Sequence, residues 1–405
     1  MLNLALFRLA TLLFFPVNLL LAVRDAIKAP RGMSFTMHVI LLYLRFRHNK
    51  AVRSMRWAQS SVDRINAKLS GEYCTSFPTP PKDVHIRSLQ FTSPSLFSAT
   101  LGSSRHPWKF FLIEPKRVFP SKKPFILYSH GGAFVSTFHV MHFVYLYELC
   151  QRTGATILAH DYPRPPKGAT HEETYAVLVE LVSALFSPSS SLGTAYGLNA
   201  DERHLAEAAT MRTKLVFAGD SAGGTITLAL CFDLIDRKMV ELLPEEAILI
   251  SPGLDGRLQN SELYDDKDPW LALPLCHSVN AAWKGPRGSL THHLISPARA
   301  PKDLLRQLLA SKTRITNLHG TADILYAGSV LFHERVVEVA REMGIEKVGE
   351  RVRFIAEDRD APYPTRVTTD TKDALDGASE AVTTNNHAEG IIDLLGSEGL
   401  ALKMD

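Results

Sequence analysis

KLVFAGDSAGGTITLAL, residues 214–230, decides how the rest of the chain is read. An apolar run, Leu215 to Ala218, enters Gly219-Asp220-Ser221-Ala222-Gly223, and an apolar segment of helical length leaves it. Gly-X-Ser-X-Gly between a strand and a helix is the pattern of a serine held on a sharp turn. The glycines answer a steric demand. A Cβ two residues to either side of the serine would run into the neighbouring strand or helix. Such a turn lifts the Ser221 hydroxyl above a sheet edge, at the N-terminus of the helix. There the helix dipole and the N–H of Ala222 face a developing oxyanion. Ser221 is therefore the expected nucleophile, with Gly219, Asp220 and Gly223 shaping its turn.

Outward from this motif the chain alternates. Short β-rich runs fall at 108–113, 125–129, 156–160, 215–218, 247–251, 314–318 and 352–356, and amphipathic segments of helical length at 138–152, 172–186, 222–238 and 328–343. Buried apolar strands alternating with helices predict an α/β fold, with a mostly parallel central sheet covered on both faces. Two polar stretches interrupt the pattern. Residues 187–213 hold a Ser-rich piece and a predicted helix at 200–212, and residues 357–386 are rich in Asp, Thr, Pro and Ala. Both read as surface excursions.

Two further stretches supply the chemistry that a nucleophilic serine needs. In PFILYSHGGAFV, residues 124–135, a strand delivers His130-Gly131-Gly132. Consecutive glycines let backbone N–H groups turn inward, so Gly131 and Gly132 are the expected oxyanion donors beside Ala222, and His130 is expected to orient the loop. In RITNLHGTADILYAGS a strand ends in Gly320-Thr321-Ala322-Asp323. When a strand–Ser–helix motif carries the nucleophile, the acid and then the histidine follow it in the chain. Asp323 is the expected acid, with Asp255 in SPGLD as its competitor. Downstream of Asp323, His333 falls mid-helix, whereas His387 sits in a loop before a short predicted helix at 388–395, so His387 is the expected base. It would take the Ser221 proton and return one to the leaving alcohol, while Asp323 fixes its tautomer.

The 405 residues suffice to bury a large core without staples. Apolar residues make up 45% and charged residues 21%, which excludes a wholly disordered chain and a multi-span membrane protein. A net charge of +3 is too even for a nucleic-acid binder. The four cysteines show no metal-ligand spacing, and nothing suggests a metal or organic cofactor. Residues 1–23 carry one charged side chain, Arg8, and span about 34 Å as a helix, enough for one membrane crossing. A cleaved signal peptide and a buried helix compete with the favoured reading, a retained anchor. The basic residues that follow, from Arg24 to Arg56, place this flank against the cytosol or anionic headgroups. The second apolar stretch, residues 33–44, is too short to span. The expected division is an anchor at 1–23, a cap or linker region at 24–104 and a catalytic domain at 105–405.

HGGAF at 130–134 with GDSAGG at 219–224 resembles the hormone-sensitive-lipase-like group of α/β-hydrolases, which are serine carboxylesterases. The resemblance covers roughly residues 105–400 and extends to Asp161-Tyr162, Ser251-Pro252, Trp283 and Ser296-Pro297. With the apolar N-terminus, the layout is similar to arylacetamide deacetylases and fungal steryl acetyl hydrolases. That implies a single-anchor enzyme of the endoplasmic reticulum membrane that cleaves short-acyl esters of lipophilic alcohols. The basic flank disagrees with the lumenal placement this implies. The family continues Asp-Tyr with Arg-Leu-Ala-Pro-Glu; here the chain reads Pro163-Arg164-Pro165-Pro166-Lys167, which puts the support of the oxyanion loop in question. Amide hydrolysis, acyl transfer and a non-catalytic small-molecule receptor on the same fold remain open alternatives, as does the oligomeric state.

Overall fold

The computed structural model describes residues 78–91, 108–116, 123–136, 138, 140–162, 164–165, 170–187, 214–265, 268, 271, 273–357 and 366–368. The strands, in chain order, are β1 (Val84–Phe91), β2 (Trp108–Pro115), β3 (Phe125–Ser129), β4 (Thr156–Asp161), β5 (Leu215–Asp220), β6 (Glu246–Ile250), β7 (Arg314–Gly320), β8 (Val352–Glu357) and β9 (Arg366–Thr368). The helices are α1 (Val140–Thr153), α2 (His171–Phe186), α3 (Ala222–Asp236), α4 (Leu273–Lys284), α5 (Lys302–Ala310) and α6 (Tyr326–Glu342). One sheet takes the order β1-β2-β4-β3-β5-β6-β7-β8-β9. It is parallel from β4 through β8, and antiparallel where β1 meets β2, β2 meets β4 and β8 meets β9. This is the expected α/β-hydrolase architecture.

The period-2 alternation of strand side chains sorts the core into two layers. Phe125, Leu127, Leu215, Phe217, Ala247, Leu249 and Ile315 share one cluster with buried residues of α2, α3, α5 and α6. Ile126, Tyr128, Val216, Ala218, Ile248, Ile250 and Leu318 share the other with Phe143, Leu146, Leu149 and Cys150 of α1. Burying each large apolar side chain contributes roughly 1.5–3 kcal/mol. With both faces covered, β3, β5 and β6 have no polar-out rhythm, so they read as continuous apolar runs. α3 is buried along nearly its whole length, from Ala222 to Ile235, which is why its sequence is apolar all round.

All seven expected strands and the four expected helices are present, within a few residues at their ends. The structure adds β1, an edge strand whose exposed Arg87 reaches Glu114 on β2 at 3.0 Å. β1 precedes residue 105, so the sheet begins before the expected domain boundary. The structure also adds α4 and α5, and it places β9 inside the stretch read as a surface excursion. The apolar segments 1–23 and 33–44, the predicted helices 200–212 and 388–395, and His387 lie outside the described residues.

The topology decides where chemistry can occur. Parallel strands deliver their C-terminal ends to one edge, where α/β sheets bind ligands. The loops after β3, β5, β6 and β7 all open there.

Candidate active site

Ser221 follows β5 with φ 51° and ψ −118°, and α3 begins at the next residue. A non-glycine residue at positive φ costs roughly 1–3 kcal/mol and persists only where its surroundings hold it. They do so here. The Ser221 N–H donates to the Ile250 carbonyl at 2.8 Å, and its own carbonyl accepts the Thr225 N–H at 3.2 Å. A Cβ on Gly223 would overlap the Ser129 carbonyl oxygen. One on Gly219 would lie 2.7 Å from that same oxygen and overlap the Gly223 carbonyl. The glycines thus have the steric role read from the motif, with the end of β3 as the neighbour they make room for. Ala222 opens α3, so its N–H has no intrahelical acceptor.

The loop after β3 lies beside this turn. Asp220 joins the two: its Oδ1 accepts the Tyr128 hydroxyl at 2.6 Å and the Gly131 N–H at 2.9 Å. This corrects one expected oxyanion donor. The Gly131 N–H is spent on the Asp220 carboxylate. The next two N–H groups, of Gly132 and Ala133, have no acceptor among the described residues. Gly132 takes φ 111°, a conformation that needs glycine, and Ala133 and Phe134 follow at 55° and 61°. The Gly132 carbonyl accepts the N–H groups of Val135 and Ser136, at 3.1 and 2.9 Å, closing the loop into a tight turn.

His130 packs against this loop. It is fully buried, stacks on Tyr162 at 4.4 Å and holds the Gly131 carbonyl through Nδ1 at 2.6 Å. Its Nε2 is 3.5 Å from Asp161 Oδ1, and that carboxylate also pairs with Arg164 and accepts the Phe138 N–H at 3.3 Å. Burial pushes the Asp161 carboxyl up, but the nearby His130 imidazole, the Arg164 guanidinium and the Phe138 N–H outweigh it and hold the group below its usual range. The departure at Pro163-Arg164 therefore leaves the loop supported: the guanidinium, one position late, still reaches Asp161. Above the loop, Trp283 of α4 stacks on Phe134 at 4.4 Å and 10°.

A second serine–histidine pair is nearby, Ser129 Oγ to His160 Nε2 at 2.8 Å. Ser129 is 3% exposed and His160 0%, and burial pushes the imidazole down to about 3. No substrate reaches this pair, so it belongs to the core.

The two candidate acids have separated. Asp255 is buried and held in a bidentate pair by Arg299, at 2.7 and 2.9 Å. It also accepts the N–H groups of Arg257 and Gln259, both at 3.1 Å, so it braces its own loop. Asp323 sits on the turn between β7 and α6 with a side chain 20% exposed. Its Oδ1 accepts the Leu325 N–H at 2.8 Å, and Oδ2 lies 3.7 Å from His319 Nδ1. His319 is fully buried, and burial pushes it down to about 4, so it stays neutral beside the acid. β8 ends at Glu357 opposite Gly320, at the same edge. His387 follows 19 residues after Thr368, the end of β9, a length of chain that can span tens of ångströms.

Residues 126–354, more than half of the chain, match the family described as alpha/beta hydrolase fold. The chain belongs to this family. No curated protein matches it. Solved structures of similar fold include a hormone-sensitive lipase from a metagenome library, at 17% identity and TM-score 0.56, with 88% of this chain and 97% of that one covered. One of two fungal esterases from Rhizomucor miehei is also 17% identical, at TM-score 0.56 with 84% and 89% covered. A thermostable esterase from Pseudomonas putida ECU1011 is 13% identical, at TM-score 0.52 with 75% and 80% covered. At such identities the likeness is one of fold. Hydrolases of the hormone-sensitive-lipase type are among these neighbours, in line with the resemblance carried by HGGAF and GDSAGG.

No group of three His, Cys, Asp or Glu among the described residues could hold a metal ion, and no helix among them is long and apolar enough to cross a membrane. Sequence reading missed three supports of the site: the Asp161–Arg164 pair, the stacking of Trp283 on Phe134, and Asp268, whose carboxylate meets the acid turn. The first two had a signal, since Asp161 and Trp283 stand at positions of the resemblance. Asp268 lies in a loop without periodicity and had none.

Proposed function

We propose that the chain is a serine carboxylic ester hydrolase. The observation that carries this reading is Ser221, at φ 51° on the strand–helix turn, beside three N–H groups without acceptors among the described residues: Gly132, Ala133 and Ala222. In the proposed reaction Ser221 Oγ attacks the ester carbonyl carbon while His387 accepts the hydroxyl proton. The three N–H groups stabilise the oxyanion of the tetrahedral intermediate. Its collapse breaks the acyl–oxygen bond, and His387 returns the proton to the departing alcohol. Water then repeats the sequence on the acyl-serine, releasing the acid and restoring Ser221. Asp323 fixes the His387 tautomer and supports the imidazolium.

For the substrate we propose a short-acyl ester of a lipophilic alcohol, and for residues 1–23 an anchor in the endoplasmic reticulum membrane. The resemblance of the motifs and the apolar N-terminus support both.

The test is hydrolysis of a p-nitrophenyl ester series from acetate to palmitate, with Ser221→Ala and His387→Ala beside the parent, followed by a steryl acetate. Activity that peaks at acetate or butyrate and vanishes in both variants is the expected result. An Ser221→Ala protein that cleaves as fast as the parent would sink the enzymatic reading. Fractionation with alkaline carbonate washing tests the anchor: release of the full chain into the wash refutes it.

A further inference from the structure

We infer that Asp268 is a positioning residue for the catalytic acid, a role that rests on the reading of Asp323 above. Asp268 belongs to the loop between β6 and α4, 55 residues before Asp323, and is 3% exposed. A carboxylate at that depth needs donors, and it has them. Oδ1 accepts the Leu271 N–H at 2.8 Å and Oδ2 accepts the Ile324 N–H at 2.9 Å.

The second of these bonds sets the geometry of the acid. The Ile324 N–H belongs to the peptide plane whose other half is the Asp323 carbonyl. That carbonyl accepts the Tyr326 N–H at 3.0 Å. The plane is thus held at both ends, and holding it fixes ψ of Asp323 and the direction of its Cα–Cβ bond. The Tyr326 bond is local to the turn and would form in many orientations of that turn. The Asp268 bond comes from a different loop and ties the turn to the rest of the molecule. Ile324 itself is fully buried against Leu258 and Cys276, so the side chain that follows the acid is seated beside the same loop. A charged acceptor makes a hydrogen bond roughly twice as strong as a neutral one, which suits an anchor on a backbone turn.

The experiment uses the full-length protein and p-nitrophenyl butyrate, with Asp268→Ala, Asp268→Asn and Asp323→Asn. Asparagine keeps one acceptor but turns its amide donors towards the other N–H. Misplacing a catalytic group by about 1 Å costs on the order of 100-fold in rate. Asp268→Ala is therefore expected to lower kcat roughly 100-fold and Asp268→Asn roughly 10-fold, with KM within about twofold of the parent, because the N–H donors that grip the substrate are untouched. Should the alanine protein not fold, the asparagine variant decides. A kcat equal to the parent's in a folded Asp268 variant overturns the inference, and so does a loss that appears only as a smaller active fraction in titration with a fluorophosphonate. Asp323→Asn separates the two claims. If it is inactive while the Asp268 variants run at the parent rate, the acid assignment stands and only the inference falls. If Asp323→Asn keeps the parent rate, both fall.

Discussion

Asp220 stands next to Ser221, the proposed nucleophile, yet its carboxylate faces the loop after β3, the proposed source of oxyanion donors, and replacing it separates two effects of opposite sign. In Asp220→Ala the Tyr128 hydroxyl and the Gly131 N–H lose their common acceptor. Bonds to a charged acceptor contribute roughly 1.5–3 kcal/mol each, so the pair is worth roughly 3–6 kcal/mol. The Asp220 side chain is 31% exposed, so water reclaims part of this, and the expected loss of stability is about 2–4 kcal/mol. The kinetic effect is larger than that number suggests. Released from Asp220, Gly131 no longer sets the direction of the Gly132 and Ala133 N–H groups. Neither donor is removed, but both are misaimed, and a fall in kcat of about 100-fold is expected. The opposing effect is charge. A carboxylate beside the serine repels the oxyanion, so its removal alone would speed the reaction. Asp220→Asn tests the balance, because it keeps an oxygen for both donors while discarding the charge. The assay is kcat and KM on p-nitrophenyl acetate, with thermal unfolding of each variant. We expect Asp220→Asn within about tenfold of the parent and Asp220→Ala far below it. If Asp220→Ala matched or exceeded the parent, the loop would not depend on this carboxylate.

Two further outcomes follow from the same structure. Trp283→Ala removes a fully buried indole and the stack on Phe134; it should cost about 3–5 kcal/mol and lower kcat on every ester tested, and a melting temperature unchanged from the parent would refute it. Acid should unfold the protein early, because burial holds His160 down to about 3 and His319 down to about 4. Their unfolded values lie near 6.5, so the unfolded state binds more protons in between, and the stability they carry is complete above pH 6.5 and lost as pH falls below it. Urea midpoints taken from pH 7 to pH 4 should decline, and more shallowly in His319→Gln; parallel curves for parent and variant would contradict the assignment.

The legible parts of the fold were those where one local rule dominates. β3, β5 and β6 are apolar on both faces, and the Gly219–Gly223 turn can be built in few ways. β1 escaped because an edge strand needs only one covered face, and its exposed His85, Arg87 and Gln90 break the run that marks a buried strand. α4 and α5 escaped because they lie in the long excursion after β6, where Pro274 and Pro301 punctuate short amphipathic pieces. In the site, residue types were readable and their competition for partners was not. His130-Gly131-Gly132 offers several inward N–H groups, and nothing in that string says that Asp220, 89 residues later, consumes the first. Asp255 and Asp323 both follow strands, and only the bidentate Arg299 shows that one of them is already spent.

This competition gives the site its logic. Asp161, Asp220, Asp255 and Asp268 each turn a carboxylate onto backbone N–H groups of the loops around Ser221, and in each case the bond joins segments distant in sequence or closes a loop. The loop after β3, with Gly132 at φ 111°, has little stiffness of its own. Charged acceptors supply that stiffness from outside, at the backbone, without placing side chains where the substrate must sit. Asp323 differs from these four in place: its Oδ1 accepts the Leu325 N–H of its own turn, and its Oδ2 lies 3.7 Å from His319 Nδ1. Its place on the turn after β7, at the edge where the strands deliver their C-terminal ends, is what the proposed role as catalytic acid asks of it.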